Sequence, residues 1–253
     1  MSFPVRLDLF GWRLHPHPVL EALAYLVAFQ VYRFLRRRQG DVLRTPQRWS
    51  VLLAAALGGV VGSKVLFLLV DPAATWSHRG DLTWWMGGKT MVGGLVGAVV
   101  AVELFKRRAH IAVRTGDLFA LPLLIGLAIG RVGCFLTGLD DLTYGVATSL
   151  PWGIDFGDGV RRHPTQLYEI VAVLLLAGGV LLRARRPYRI GDPFRLTLVG
   201  YLAWRLAVDA LKPGPRHAGL TSIQWACVVG LACYGREIPR ILGWRKVVID
   251  EPA

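Results

Sequence analysis

Acidic side chains are scarce in this sequence: 17 Asp and Glu stand against 30 Lys and Arg over 253 residues, a formal net charge of +13. Such an excess suits nucleic acid only when the basic residues gather on one soluble face, so their distribution decides what it means. Cysteine is equally sparse. Cys134, Cys227 and Cys233 are too few for a disulfide framework, and all three fall in apolar segments without metal-ligand spacing, so they read as small buried residues. A phosphate-binding glycine loop, a zinc motif and a Ser-His-Asp order are all missing, and His15 and His17 in "HPHP" form no metal signature. Neither a metal nor a cofactor is expected. The opening "MSFPVRLDLFGWRLHPHP" lacks the basic-then-apolar order and small-residue cleavage site of a signal peptide, so the first apolar segment itself is expected to direct membrane insertion.

What the chain has in quantity is apolar surface, 53% of its residues being hydrophobic. Apolar segments run roughly over 19–35, 51–70, 91–105, 118–136, 166–182, 194–211 and 223–235. Several approach the ~20 residues that cross a hydrocarbon core, and the shorter ones need their flanks counted in. The expected fold is an all-α polytopic membrane protein of about seven transmembrane helices, one integral domain over 1–253 with a small external cap loop at 137–165. Tryptophans such as Trp76, Trp84, Trp85, Trp152 and Trp244 lie near segment ends, as interfacial anchors do.

Basic residues alternate in density from loop to loop. Arg36, Arg37 and Arg38 follow the first segment, Lys106, Arg107 and Arg108 the third, Arg183, Arg185 and Arg186 the fifth, and Arg236, Arg240, Arg245 and Lys246 the seventh. The intervening loops carry only pairs, such as Arg161 with Arg162 or Lys212 with Arg216. The positive-inside rule then puts the N-terminus outside and the C-terminus in the cytoplasm. The basic excess is therefore topological; no nucleic-acid partner is expected, and anionic lipid headgroups are.

Charges inside the apolar segments are the exception that asks for a function. Arg131 sits in "LFALPLLIGLAIGRVGCFLTG", and a mid-helix arginine costs about 2.5 to 3.5 kcal/mol on insertion scales. With the topology above, Glu21, Lys64, Arg131, Glu169, Arg205 and Asp209 all fall in the outer half of their segments. They point to one polar cavity opening outward, or, more plainly, to ion pairs such as Glu21 with Lys64 and Arg205 with Asp209 that glue helices together. Gly126, Gly130, Gly133 and Gly138 clear space around Arg131 and equally suit tight helix packing. Gly93 and Gly94 open the third helix, where exposed N–H groups could receive a phosphate or where Gly93 and Gly97 could form a close-packed face. The loop 137–165 carries "WGIDF" and the turn signal Gly157-Asp158-Gly159, which predict a hairpin placing Asp140, Asp141, Arg161, Arg162 and His163 beside the charges. His163 is a candidate general base. A phosphodiester headgroup, gripped by guanidinium forks while its acyl tails stay in the bilayer, suits such a pocket.

In order along the chain, "GGLVG", "GRVGCFLTG…YG", "RHPTQLYE", "YLAWRLAVDALKP" and "LTSIQW" resemble the bacterial prolipoprotein diacylglyceryl transferase family over about residues 19–235. The resemblance implies a seven-helix enzyme of the bacterial cytoplasmic (inner) membrane. Members move the diacylglyceryl group of phosphatidylglycerol to the cysteine thiol of a lipoprotein precursor, releasing glycerol phosphate, with the site facing the outer side. It implies active-site roles for Arg131 and for Arg205 with Tyr201; a thiol nucleophile also needs a base or nearby positive charge, for which Asp141, His163 and Glu169 are the candidates. Gly93, Gly94, Arg162, Gln166 and Tyr168 match the family's motifs and are expected to bind substrate, as are Lys64 and Glu21 from their depth beside the charged cavity. The chain departs from the pattern where Val92 replaces a histidine, Cys134 an asparagine and Leu139 a glutamate, and Asp140 or Asp141 could stand in for that last carboxylate. A lysine, Lys64, stands for an arginine, and Glu21 falls at about an aromatic position. Two other readings stay open: a divergent transferase with another acceptor, and a non-catalytic lipid-binding or transport protein on the same fold.

Overall fold

The computed structural model describes residues 3–9 and 12–242, so Trp244, Arg245 and Lys246 lie outside the described residues. The protein is built mainly of helices. A short hairpin pairs β1 (Leu7–Leu9) with β2 (Trp12–Leu14), and α1 (Pro16–Gln39), α2 (Thr45–Val70), α3 (Pro72–Ser77), α4 (Leu82–Met86) and α5 (Met91–Arg108) follow. Next come α6 (Ala120–Thr137), β3 (Ile154–Asp155), β4 (Arg161–Arg162), α7 (Thr165–Ala184), α8 (Asp192–Val208), α9 (Ser222–Tyr234) and α10 (Ile238–Ile241). A helix thus lies at each of the seven apolar segments, although α8 ends at Val208 and hands over to a 3-10 turn, Asp209–Leu211.

Among the described residues, four helical stretches are long and apolar enough to cross a membrane: Pro16–Gln39, Thr45–Val70, Asp117–Asp141 and Thr165–Ala184. α5 and α9 are limited by composition and length: Glu103, Lys106, Arg107 and Arg108 crowd the last turns of α5, and α9 has only 13 residues. Large apolar side chains lie uncovered along α2, including Leu53, Leu57, Val60 and Val61, and along α7, including Val171, Leu174 and Leu175. Such broad apolar surface is the expected partner of lipid tails.

Local chemistry explains the helix limits. Pro16 and Pro193 pre-set φ at helix starts. Arg36, Arg37 and Arg38 complement the negative end of α1 before Gly40 turns the chain at φ 77°. Thr221 and Gln224 cap α9 reciprocally, each side chain taking the other's backbone N–H at 3.1 and 3.0 Å. The predicted cap hairpin is present: Asp155 Oδ1 accepts from the N–H groups of Gly157, Asp158 and Gly159, the two glycines holding φ of 110° and 77°, and Ile154 pairs with Arg162.

The chain divides into two compact units. Residues 3–40, 116–213 and 237–242 make the first among the described residues, with α6 packed against α1 and α7, and α7 against α8. Phe3 stacks edge-on against Phe135 and Phe156, fastening both the N-terminal segment and the cap to the end of α6. Of the glycines around Arg131, Gly133 and Gly138 serve this packing, whereas Gly130 faces open space. A Cβ on Gly133 would meet Leu20 Cβ at 3.1 Å and His17 Cα at 3.4 Å, and one on Gly138 would meet Phe3 Cβ at 2.9 Å. The α1 backbone at His17 therefore lies directly against α6.

Residues 41–115 and 214–236 make the second unit, whose centre is the α2–α5 crossing. Gly58, Gly62, Gly93 and Gly97 form this contact: a Cβ on Gly97 would lie 2.3 Å from the Gly58 carbonyl, and one on Gly93 2.4 Å from that of Gly62. Of the two readings of Gly93, close backbone packing is the arrangement observed. Cys227 on α9 is buried, but Cys233 is exposed, correcting the expectation of three buried thiols, because it falls on the uncovered side of the same helix. The crossing gives a direct test. Gly97→Ala is expected to lower stability by about 1 to 3 kcal/mol in thermal or denaturant unfolding. Gly59→Ala, whose Cβ would meet its nearest atom at 3.6 Å, is expected to be nearly silent.

Candidate active site

The burial pattern of α7 brings a carboxylate inside. After Thr165, the buried residues Gln166, Glu169, Val173, Ala177 and Val180 recur every three or four residues on its covered face, so Glu169 lies inward one turn into the helix, 1% exposed. From α6, Arg131 brings Nε to 3.0 Å from Glu169 Oε1. From α8, the Tyr201 hydroxyl donates to Oε1 at 2.8 Å and Arg205 Nη1 donates to Oε2 at 3.1 Å. Arg205 Nη2 then donates to Asp209 Oδ1 at 3.0 Å, the i, i+4 pair anticipated from spacing. All five side chains are buried. Two guanidinium groups are thus held on two carboxylates, and among the described residues the amide of Gln166, which precedes Glu169 by about one turn on the covered face of α7, has no hydrogen-bond partner on either atom. A buried amide left this way has unspent donor and acceptor capacity.

A second cluster adjoins the first through Arg131. Its Nη1 lies 3.6 Å from Cys134 Sγ, one turn further along α6. Cys134 Sγ is 3.9 Å from His17 Nδ1, at the start of α1, and that same nitrogen is 3.1 Å from Asp141 Oδ1. Asp141 ends the 3-10 turn Gly138–Asp141, and Thr143 Oγ1 donates to its other oxygen at 2.6 Å. His17 Nε2 faces Glu21 Oε2 at 3.6 Å. The sulfur, the imidazole nitrogen and the carboxylate oxygen all lie within 4.8 Å of one another. "HPHP" alone shows none of this, because His17 at the start of α1 meets Cys134 and Asp141 from the end of the Asp117–Asp141 stretch, 117 positions on in the case of Cys134.

The remaining expected site residues fall elsewhere. His163 Nδ1 meets the Tyr168 hydroxyl at 3.2 Å, and that hydroxyl also accepts from Trp152 Nε1 at 2.8 Å. Arg162 forms a bidentate pair with Asp158 at 2.6 and 2.7 Å and lies over the Tyr144 ring, and its neighbour Asp158 is held below the usual carboxylate range by it. Arg161 is bonded to the Gly153 and Pro151 carbonyls, and Asp140 is exposed. In the second unit, Lys64 donates to the Gly87 and Gly88 carbonyls, while Glu21, in the first, meets His17 and Tyr25. The Gly94 N–H is taken by the Thr90 carbonyl, and Val92 is 1% exposed.

Sequence reasoning passed over His17, and it passed over Lys212 as a loop cation. Burial, then the Arg205 and Arg131 guanidiniums, hold the Lys212 ammonium down to about 7. An unfolded lysine titrates near ~10.4, so the native chain binds fewer protons than the unfolded one between these values. The cost of Lys212 to stability is absent above ~10.4, grows as pH falls through the window and is complete below about 7. Reductive methylation with a labelled methyl group, followed by NMR titration, is expected to show one dimethyl-lysine signal with a midpoint of about 7 that disappears in Lys212→Arg. A sharper structural test is Glu169→Gln. Leaving two buried guanidiniums undercompensated is expected to cost about 3 to 5 kcal/mol in unfolding experiments, against about 1 to 3 for Tyr201→Phe.

A family profile described as prolipoprotein diacylglyceryl transferase matches residues 4–235. A Paracidovorax citrulli protein named phosphatidylglycerol-prolipoprotein diacylglyceryl transferase is 32% identical over 250 residues, covering 89% of this chain and 90% of that protein. Proteins of the same name from Aromatoleum aromaticum, 32% identical with 83% and 86% covered, and from Clostridium tetani, 27% identical with 84% and 86% covered, are also similar. The two buried arginines, their shared glutamate and the tyrosine beside them all lie inside the matched region, and the chain belongs to the prolipoprotein diacylglyceryl transferase family.

Proposed function

We propose that the protein transfers the diacylglyceryl group of phosphatidylglycerol to the cysteine thiol of lipoprotein precursors. The observation that carries this reading is the pair of guanidiniums, Arg131 and Arg205, fixed on Glu169 between three helices. Displacement at a glycerol carbon breaks a C–O bond and leaves charge on a phosphate, and preorganised donors are worth most where that charge develops. Arg131 and Arg205 stabilise the departing glycerol phosphate, Glu169 and Asp209 hold them in place, and the Gln166 amide offers a further donor to the headgroup. An apolar groove of about 510 Å³ lined by Tyr168, Val171, Ala172, Leu175 and Trp204 takes an acyl chain. The loop charges support seven spans with the N-terminus outside, which turns the clusters toward the outer face of a bacterial inner membrane.

Both oxygens of Glu169 are engaged and His163 faces Tyr168, while Val92 carries no proton acceptor, so the acceptor thiol is activated beside Asp141, at His17 and Cys134. A second reading, motivated by Val92, Cys134 and Leu139, keeps the lipid donor and changes the acceptor.

The test combines purified protein, phosphatidylglycerol labelled in its diacylglyceryl group and a peptide with a lipobox cysteine. Label is expected on the cysteine peptide and not on its serine counterpart; a preparation that binds the lipid and transfers nothing overturns the reading. Arg131→Lys keeps the charge but loses the fork, and kcat/KM is expected to fall by about 100-fold or more.

A further inference from the structure

We propose that His17, Cys134 and Asp141 form a zinc site with one open coordination position, which takes the sulfur of the acceptor cysteine. The proposal rests on the transfer reading above and supplies the thiol activation that Val92 cannot.

The donor set is one imidazole nitrogen, one sulfur and one carboxylate oxygen, a mixture that suits zinc better than the all-oxygen shells of magnesium or calcium. Zinc bonds its ligands at about 2.0 to 2.3 Å, so tetrahedral donors stand about 3.3 to 3.8 Å apart. Here the imidazole and carboxylate atoms are 3.1 Å apart, the sulfur and imidazole atoms 3.9 Å, and all three within 4.8 Å. Small side-chain movements bring them onto one ion. Each ligand also has a partner behind it. Glu21 Oε2 stands 3.6 Å from the outer nitrogen of His17, Thr143 donates to the outer oxygen of Asp141 at 2.6 Å, and Arg131 Nη1 lies 3.6 Å from Cys134 Sγ. A carboxylate behind a ligating histidine and a donor behind a ligating carboxylate are what orient such ligands. A plain His–Asp ion pair requires neither the sulfur nor these outer partners.

Among the described residues the group has three protein ligands, the number that leaves a fourth position open in catalytic zinc sites. The backbone arrangement is specific: Gly133 lets the α1 backbone at His17 approach α6, and the 3-10 turn after α6 returns Asp141 to the same place. Zinc holds thiols as thiolates, which are the nucleophilic form. The incoming thiol gives its proton to zinc-bound hydroxide, which departs as water, and sulfur takes its position. Sulfur then forms the C–S bond while the glyceryl C–O bond breaks, its electron pair leaving with the phosphate oxygen toward Arg131 and Arg205. The neutral thioether is a weaker ligand and is released as water returns and loses a proton to the medium.

The experiment uses the full chain in detergent, stripped by chelation and reloaded with zinc or cobalt. About one ion per chain is expected. Cys134→Ser and His17→Ala should each raise the zinc dissociation constant about 100-fold or more, Glu21→Gln about 10-fold, and Cys233→Ser should leave it unchanged. In the cobalt form, the sulfur-to-metal absorption band should vanish in Cys134→Ser and rise about twofold when the cysteine lipobox peptide, but not the serine peptide, is added. Retained circular dichroism and monodispersity exclude misfolding, and the milder Glu21→Gln keeps the test open where a ligand variant fails to fold. No stoichiometric metal, or undiminished affinity in Cys134→Ser, overturns the site; bound metal without a peptide-dependent rise overturns the acceptor's place on it. Undiminished transfer by metal-free protein overturns this inference and leaves the transfer reading standing, whereas stoichiometric metal with the peptide-dependent rise but no transfer of label leaves the metal site standing and overturns the transfer reading.

Discussion

The structure of the first unit turns on a single buried carboxylate. Glu169 receives Arg131 from α6 and both Tyr201 and Arg205 from α8, so three helices share one ionic centre. Burying such charges is not in itself stabilising, because desolvation offsets most of the attraction. What the arrangement secures is position: the guanidiniums cannot relax away from the carboxylate without leaving a charge uncompensated in an apolar interior. Two cations fixed in this way, with an unpartnered glutamine one turn from their shared glutamate, are ready for an anion before it arrives.

Arg131 gives this centre a second function because it touches both clusters. One of its nitrogens faces Glu169 and another faces Cys134, whose sulfur meets His17 and, with it, Asp141. The leaving group and the nucleophile of a displacement must be organised together, and a shared guanidinium couples the two tasks geometrically. Val92 and Cys134 stand where the resemblance implies a histidine and an asparagine, and the sulfur at 134 completes the second cluster.

Much of the fold was legible because membrane crossing imposes long apolar runs. The segments at 51–70 and 166–182 fall within α2 and α7; α2 begins earlier, in a polar first turn from Thr45 that hydropathy does not register, and α7 runs on to Arg183 and Ala184. The hairpin at 154–162 followed from its Gly-Asp-Gly turn, and Arg205 with Asp209 from helical spacing. The N-terminal hairpin was not read, since Leu7–Leu9 and Trp12–Leu14 are too short to show a period. His17, Cys134 and Asp141 were beyond reach for another reason. The first two stand 117 positions apart, and only the close approach of α1 to α6 at Gly133 makes them neighbours. Glu21 illustrates the same limit, because equal depth suggested Lys64 as its partner while helical spacing placed it on His17.

The clamp itself is most directly tested by a crystal structure of the protein with phosphatidylglycerol bound. The phosphate oxygens are expected within about 3.2 Å of guanidinium nitrogens of both Arg131 and Arg205, with the glycerol carbon turned toward Cys134. A phosphate seated away from both arginines, with Glu169 still closing them off, would contradict it.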